Sequence, residues 1–303
     1  MGFENIYNHK AIVKESANAR VNLIGEHTDY TGGYVMPTLL GFKNTIELSK
    51  NEEKSFVVFS EHFNEKKIFN DFIKSQNNDW SDYIKGCLFI FFDEYKKIKL
   101  EHLNLYISST IPLERGISSS SALCVSTLKA LNSYFNTQIN EKHIAILAKK
   151  VEHDYIGVSG GIMDQMVSSI GIHGKAFFLD CLNLKYELVN FPSNWKFCLI
   201  DSEVQRNLRS SSYNDRFNEL KIAEKELEVE YLGGVELSKF NSDKISNLTV
   251  AKRARHVVTE NDRVLRAKEC LLKNDINEFG KLMIESHNSY SKDFEASTSD
   301  VDE

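Results

Sequence analysis

The segment from Ala19 to Gly33, ARVNLIGEHTDYTGG, constrains the fold most, because it combines a short apolar stretch with four ionisable side chains. Those side chains are Arg20, Glu26, His27 and Asp29. Charged side chains are seldom fully buried in a hydrophobic core. We therefore expect a strand, Val21–Gly25, that leads into a turn closed by glycines. Carboxylates accept hydrogen bonds from hydroxyls, imidazole donates or accepts, and guanidinium neutralises negative charge. The segment therefore favours a site for a polyhydroxylated small molecule.

Composition excludes several classes of protein. The chain has 303 residues, 42% of them hydrophobic, and a net charge of −6, which is typical of a soluble protein with one large domain or two. The mildly acidic balance without basic blocks argues against nucleic-acid binding. Five widely spaced cysteines without a C-x-x-C pair favour reduced thiols in a cytoplasmic protein. We find no apolar signal core and no apolar window of about 18 residues, so we expect neither secretion nor a membrane span.

The order of apolar patterns predicts strands first and helices later. Predicted strands are Ile12–Lys14, Val21–Gly25, Ile46–Leu48, Phe56–Ser60, Leu103–Ile107 (half-buried), Ala176–Leu179 and Phe197–Ile200. Predicted helices follow the serines 118–121, follow Asn140 as an N-cap, and cover about Tyr213–Glu230 and Val250–Leu272. This order predicts an α+β protein with mixed sheets and packed helices, divided into domains 1–172 and 173–303.

Two further segments carry polar groups at predicted helix starts. In Pro112–Leu123, a glycine and four serines precede a helix, and the unpaired N–H groups there attract anions. The segment lacks the Walker pattern, and alone it is better explained as an ordinary serine N-cap. In Glu152–Gln165, Asp164 follows a glycine turn as either an N-cap or a positioned base, and spacing alone favours the N-cap.

The three segments together, in this order, resemble the galactokinases of the GHMP small-molecule kinase family. The first resembles the galactokinase signature closely, the serine loop resembles the second GHMP motif, and GIMDQ resembles the segment with the catalytic aspartate. WSDYIKG, RARHVVTE and SHNS are also similar. The resemblance implies a two-lobed GHMP kinase fold with the active site between the lobes. It also implies transfer of the ATP γ-phosphate to the C1 hydroxyl of galactose, giving galactose 1-phosphate.

Matched positions give the roles that the resemblance implies. Sugar hydroxyls would be held by Glu26, His27 and Asp29, with Gly161 and Tyr213 as further contacts. Asp164 would be the catalytic base, and Arg20 beside it would favour its ionised form. ATP phosphates would meet Gly116, Ser118, Ser119 and Ser120, and Mg²⁺ would be held by Ser120 and Glu152. His153, His173 and His256 are interpreted as structural or surface residues.

The chain departs from the family pattern in places. Asn18-Ala19 replaces the usual Pro-Gly before Arg20, and Glu114 stands where a small residue is usual. The third glycine-rich motif and the closing strands do not follow Ser297–Glu303. We therefore expect an exposed sheet edge and poor solubility or pairing with another chain. Two alternatives stay open: a GHMP kinase for an amino sugar or uronic acid, and a non-catalytic sugar- and ATP-binding relative or fragment. The oligomeric state is not predicted.

Overall fold

The structure, a computed structural model, describes residues 2–75, 78–112, 115–158, 160–203 and 211–303, with side chains in the last range from residue 214. Its strands are β1 (Val13–Asn22), β2 (Tyr34–Val35), β3 (Pro37–Lys50), β4 (Phe56–Ser60), β5 (Glu65–Phe69), β6 (Leu103–Ser109), β7 (Lys175–Asp180) and β8 (Lys185–Asn190). Its α-helices are α1 (Phe3–Tyr7), α2 (Ser81–Glu94), α3 (Ser119–Phe135), α4 (Glu141–Lys150), α5 (Met163–Ile170), α6 (Ser211–Glu226), α7 (Leu248–Lys273), α8 (Ile276–Lys292) and α9 (Ser299–Asp302). A π-helix, Val151–Ile156, follows α4, and 3₁₀ turns cover Leu232–Gly234, Leu237–Lys239 and Ser242–Lys244.

The chain forms two compact units that are discontinuous in sequence. The first contains residues 1–20, 40–159 and 164–170, and the second contains 21–39, 160–163 and 171–303. Thus the early segment 21–39 packs with the later part of the chain. The division into domains 1–172 and 173–303 stays a prediction.

The first unit is built on strands covered by helices. β6 pairs antiparallel with β3 and parallel with β4, and β4 pairs antiparallel with β5. Parallel neighbours need a crossover connection, which α2 supplies between β4 and β6. Side chains such as Ile46, Leu105, Leu88 and Leu128 form one buried apolar cluster. The predicted α+β class, with a mixed sheet and packed helices, is confirmed.

Strand β6 is buried more completely than its alternating sequence predicts. Tyr106, on the face expected to be exposed, is only 2% exposed. It packs with Phe3 and Phe59, because α1 covers that face. The Tyr7 hydroxyl donates to the Leu105 carbonyl at 2.7 Å. The half-buried prediction is therefore wrong, since a remote N-terminal helix decided the burial.

The second unit places two long helices against a smaller group of strands. β7 pairs with β2 and β8, and Thr38 of β3 pairs with Ala176. Asn247 caps α7 by accepting from the N–H groups of Thr249 and Val250. The α7 face that carries Val264 packs with Phe178 of β7 and Leu282 of α8 in one apolar cluster. No helix in the described ranges is long and apolar enough to cross a membrane.

Most predicted elements are present, with two exceptions. β4 matches its prediction residue for residue, and Asn140 caps α4 by accepting from His143 N at 2.9 Å. The strand predicted at Phe197–Ile200 is wrong, because these residues have no strand partner among the described residues and Ile200 is 82% exposed. The strand predicted at Val21–Gly25 stops at Asn22, where the chain enters the turn.

Two helical glycines provide a test of packing in the folded chain. A Cβ on Gly86 in α2 would lie 2.8 Å from Tyr155 Cδ1 and 2.9 Å from Val151 Cγ1. The Tyr155 ring cannot yield easily, because its hydroxyl donates to the Phe72 carbonyl. We therefore expect Gly86→Ala to destabilise the protein by about 1–3 kcal/mol through overpacking, measured by urea unfolding.

The matched control is Gly280→Ala in α8, where a Cβ meets nothing within 4 Å. Alanine is the better helix former, so we expect a stabilisation of about 0.5–1 kcal/mol. Equal effects of the two substitutions would contradict the packing described around Gly86.

Candidate active site

Arg20 and Asp164 form a two-point ion pair in the first unit. Arg20 Nε donates to Asp164 Oδ1 and Nη2 donates to Oδ2, both at 2.7 Å. Arg20 Nη1 donates to the Gly116 carbonyl at 2.9 Å. Asp164 lies in the first turn of α5, where the helix dipole favours a carboxylate. The two parallel hydrogen bonds fix the plane of the carboxylate and its position relative to the loop at Gly116.

Ser118 also reaches Asp164. It precedes α3 in the left-handed conformation, with φ of 62°, and its hydroxyl donates to Asp164 Oδ2. Its side chain makes no hydrogen bond to the start of α3. The serine N-cap predicted here is therefore wrong, because a capping serine has an extended backbone that aims its oxygen at the first N–H groups, whereas Ser118 is left-handed and its hydroxyl points to Asp164. The first N–H groups of α3 thus lack a cap from Ser118, which suits an anion site.

Glu152 is a buried carboxylate beside the start of α3. Its oxygens accept hydrogen bonds from Ser120 Oγ and Ser121 Oγ, both at 2.7 Å, and from Gln165 Nε2. Burial raises the pKa of Glu152, while the three donors act in the opposite direction. The residue lies in the π-helix, a rare geometry that is frequent at functional sites.

The donor set at Glu152 fits a magnesium ion. Mg²⁺ prefers oxygen ligands and is usually bound through one or two carboxylates together with substrate phosphates. Ser120 and Glu152 supply a hydroxyl and a carboxylate that already lie within hydrogen-bond distance of each other. Within the described residues, no group of three or more His, Cys, Asp or Glu side chains could hold a metal ion. The protein atoms would therefore form only part of the coordination shell.

In the second unit, Glu26 follows a sharp turn at Gly25. Gly25 has φ of 103°, and a Cβ there would lie 2.8 Å from the Tyr34 carbonyl oxygen, so only glycine fits. The Glu26 side chain accepts a hydrogen bond from Asn22 Nδ2 at 3.0 Å. The carboxylate is thus oriented by a residue of β1, four positions earlier in the chain.

His27 is more buried than the sequence suggests. Its side chain is 9% exposed, and its ring lies against Phe294, with centroids 4.4 Å apart, and stacks on Tyr290. Nδ1 shares a hydrogen bond with the Tyr30 hydroxyl at 2.9 Å. The ring is therefore held by aromatic packing on residues from α8 onward.

Asp29 lies directly against Gly161 in the second unit. A Cβ at Gly161 would lie 1.9 Å from Asp29 Oδ2, so the glycine leaves the space that this carboxylate occupies. The structure thus brings together two predicted sugar contacts from distant parts of the sequence.

The remaining predicted residues differ in how much the structure describes. Tyr213 lies in α6, and its side chain is outside the described residues, as is all of Glu114. Ser119 is the first residue of α3, and its carbonyl accepts from Asn44 Nδ2. His153 and His173 are exposed, in agreement with their interpretation as surface residues, whereas His256 is fully buried.

Sequence reasoning missed the polar residues that support these side chains. They include Asn22, Ser121, Gln165 and Glu260. A signal existed for Glu260, which lies three residues after Val257 and four before Val264 and so falls on the apolar side of its helix. A carboxylate at such a position needs buried partners.

Comparisons with known proteins agree with these motifs. Residues 82–171 match the model of the GHMP kinases N-terminal domain, and residues 1–50 match the galactokinase galactose-binding signature. The galactokinase of Fusobacterium nucleatum is 36% identical over 99% of this chain and 80% of its own length. The galactokinase of Thermotoga maritima is 35% identical over 96% of this chain and 81% of its own length.

A solved structure gives the same result. Lactococcus lactis galactokinase complexed with galactose matches with a TM-score of 0.90 and 32% identity, over 99% of this chain and 80% of that one. The expected GHMP kinase fold is thereby confirmed. Since sequence and structure agree over almost the whole chain, it belongs to the galactokinase family of the GHMP kinases.

Proposed function

We propose that this protein transfers the γ-phosphate of ATP to the anomeric hydroxyl of galactose, giving galactose 1-phosphate and ADP. Its small-molecule partners are thus ATP and galactose. The observation that carries the proposal is the two-point pair of Arg20 and Asp164, which the first unit holds beside the start of α3. This arrangement suits a base next to a phosphate-binding loop.

Asp164 is the proposed base. It accepts the proton of the C1 hydroxyl as that oxygen forms a bond to the γ-phosphorus and the bond from phosphorus to the bridging oxygen of ADP breaks. Arg20 holds both carboxylate oxygens, so the base keeps one orientation and its negative charge is balanced. The hydroxyl of Ser118 already donates to Oδ2, which supports a role for that oxygen as acceptor.

The sugar is held by residues of the second unit in this proposal. Asn22 orients the carboxylate of Glu26, and aromatic rings hold His27 in place. Asp29 uses the space beside Gly161. Tyr213 is a further proposed contact. Carboxylates and an imidazole together suit the hydroxyl groups of a sugar.

The phosphates are bound by the loop that contains Gly116 and by the start of α3, through Ser118, Ser119 and Ser120. The uncapped N–H groups of a helix start and its positive dipole favour phosphate oxygens. Magnesium, when bound, would neutralise charge on the β- and γ-phosphates. Ser120 and Glu152 would hold it with their oxygens. We also propose a cytoplasmic location, which the five widely spaced cysteines without a C-x-x-C pair support.

The direct test offers ATP and either galactose or 1-deoxygalactose to the purified protein. We expect galactose 1-phosphate to form with galactose, detected by phosphorus NMR, and no product with the analogue because it lacks the accepting hydroxyl. Phosphorylation of 1-deoxygalactose would contradict transfer to C1.

Asp164→Asn tests the base. Asparagine keeps the shape but cannot accept the proton, so we expect turnover to fall by about 10²–10⁴-fold while galactose still binds. A coupled ADP assay measures turnover, and calorimetry measures galactose binding. Asp154→Asn, at an exposed aspartate, is the matched control and should keep normal turnover. Normal turnover of Asp164→Asn would remove Asp164 from the mechanism.

Adjacent glycines test the sugar contact. Alanine at Gly161 would push the Asp29 carboxylate aside, so we expect the KM for galactose to rise by about 10- to 100-fold with the KM for ATP unchanged. Alanine at Gly160 meets nothing within 4 Å and should leave both constants as they are. An unaltered galactose KM in Gly161→Ala would argue against sugar binding by Asp29.

A further inference from the structure

Two side chains of α7 bind the backbone of the turn that carries Glu26. His256 and Glu260 are four residues apart, so they lie on one face of the helix. Glu260 Oε1 accepts from Gly25 N at 2.8 Å, and His256 Nε2 lies 3.0 Å from the Glu26 carbonyl oxygen. The backbone is therefore held on both sides of the Glu26 side chain.

Glu260 is a fully buried anchor. Its Oε1 accepts a second hydrogen bond from Ser286 Oγ at 2.6 Å, and Oε2 accepts from Arg263 Nε at 2.7 Å. The carboxylate is 0% exposed, and the Arg263 charge balances it. Both carboxylate oxygens of Glu260 accept hydrogen bonds. Movement of this side chain would break them and leave the buried Gly25 N–H unpaired, which costs free energy.

The protonation of His256 follows from its partners. A carbonyl oxygen only accepts, so Nε2 must carry the hydrogen that is donated to Glu26. Burial lowers the pKa of His256, which favours the neutral ring. Nδ1 of the neutral ring carries no hydrogen and lies 3.0 Å from Ser289 Oγ, which also lies 3.2 Å from Asp293 Oδ2. The ring orientation is thus fixed from both nitrogens.

We propose that His256 is a positioning residue for sugar binding, which fixes the Glu26 carbonyl and hence the direction in which Glu26 and His27 present their side chains. The inference rests on the proposed function. In this proposal His256 does more than fill space, because a buried apolar ring of similar size could not donate a hydrogen bond to the Glu26 carbonyl.

Two amide substitutions at His256 distinguish the role of Nε2 from that of Nδ1. Glutamine at 256 reaches the position of Nε2 and keeps a donor for Glu26, whereas asparagine ends near the position of Nδ1 and keeps only the contact with Ser289. We expect His256→Asn to raise the KM for galactose by about 5- to 150-fold, the range for an unpaired buried carbonyl. The KM for ATP should stay unchanged, and His256→Gln should restore most of the galactose affinity.

A stability control is available on the same helix. Arg253 is 1% exposed and contacts Glu219 and Glu295. We expect Arg253→Gln to lower the unfolding midpoint without raising the galactose KM. Equal galactose constants for His256→Asn and His256→Gln, or an equal rise in Arg253→Gln, would overturn the proposal.

A second measurement separates this inference from the proposed function. If the wild-type protein transfers no phosphate to galactose, the function is wrong, and amide hydrogen exchange of segment 23–30 then tests the contact alone. Faster exchange in His256→Asn than in His256→Gln supports positioning of the turn by His256. Equal exchange in the two variants overturns it.

Discussion

Several residues of the turn between Gly25 and Gly33 are buried, among them Gly25, Thr28 and Thr31, and buried backbone polar groups must be paired within the protein. The turn supplies some of these partners itself, because the Thr28 hydroxyl lies within hydrogen-bond distance of the carbonyls of Gly25 and Tyr34. Helix α7 supplies further partners through Glu260 and Asn261. The shape of the turn therefore depends on residues far away in the sequence, although the turn itself carries the motif that most clearly indicates the family.

In the first unit, two neighbouring carboxylates, Asp164 and Glu152, are stabilised by different partners. Asp164 receives hydrogen bonds from a cation and a hydroxyl, whereas the donors to Glu152 among the described residues are neutral. The guanidinium supplies a positive charge beside Asp164, whereas burial raises the pKa of Glu152 against the effect of its neutral donors. A bound cation would favour the charged form of Glu152, so the same residue class has different partners at the two points.

Local patterns predicted what depends on near neighbours in the chain. The strand at Phe56–Ser60 and the Asn140 cap belong to this group, as does the order of motifs that indicates the family. Predictions failed where other factors decided: α1 covers Tyr106, and Ser118 has a left-handed backbone that directs its hydroxyl to Asp164. The motifs contain the predicted site residues, but they do not show which neighbours support them: Gln165 lies in GIMDQ, and only the structure shows that it donates to Glu152.

The discontinuity of the two units has a consequence during synthesis of the chain. Gly25 and its partner Glu260 are 235 residues apart. A ribosome adds about 5–20 residues per second, so roughly 12–47 s pass before that partner exists. During this interval the nascent segment 21–39 has none of the α7 contacts, and its apolar residues must avoid premature association. The segment that most clearly identifies the chain is therefore made early, but it meets its α7 partners only after about 260 residues have been made.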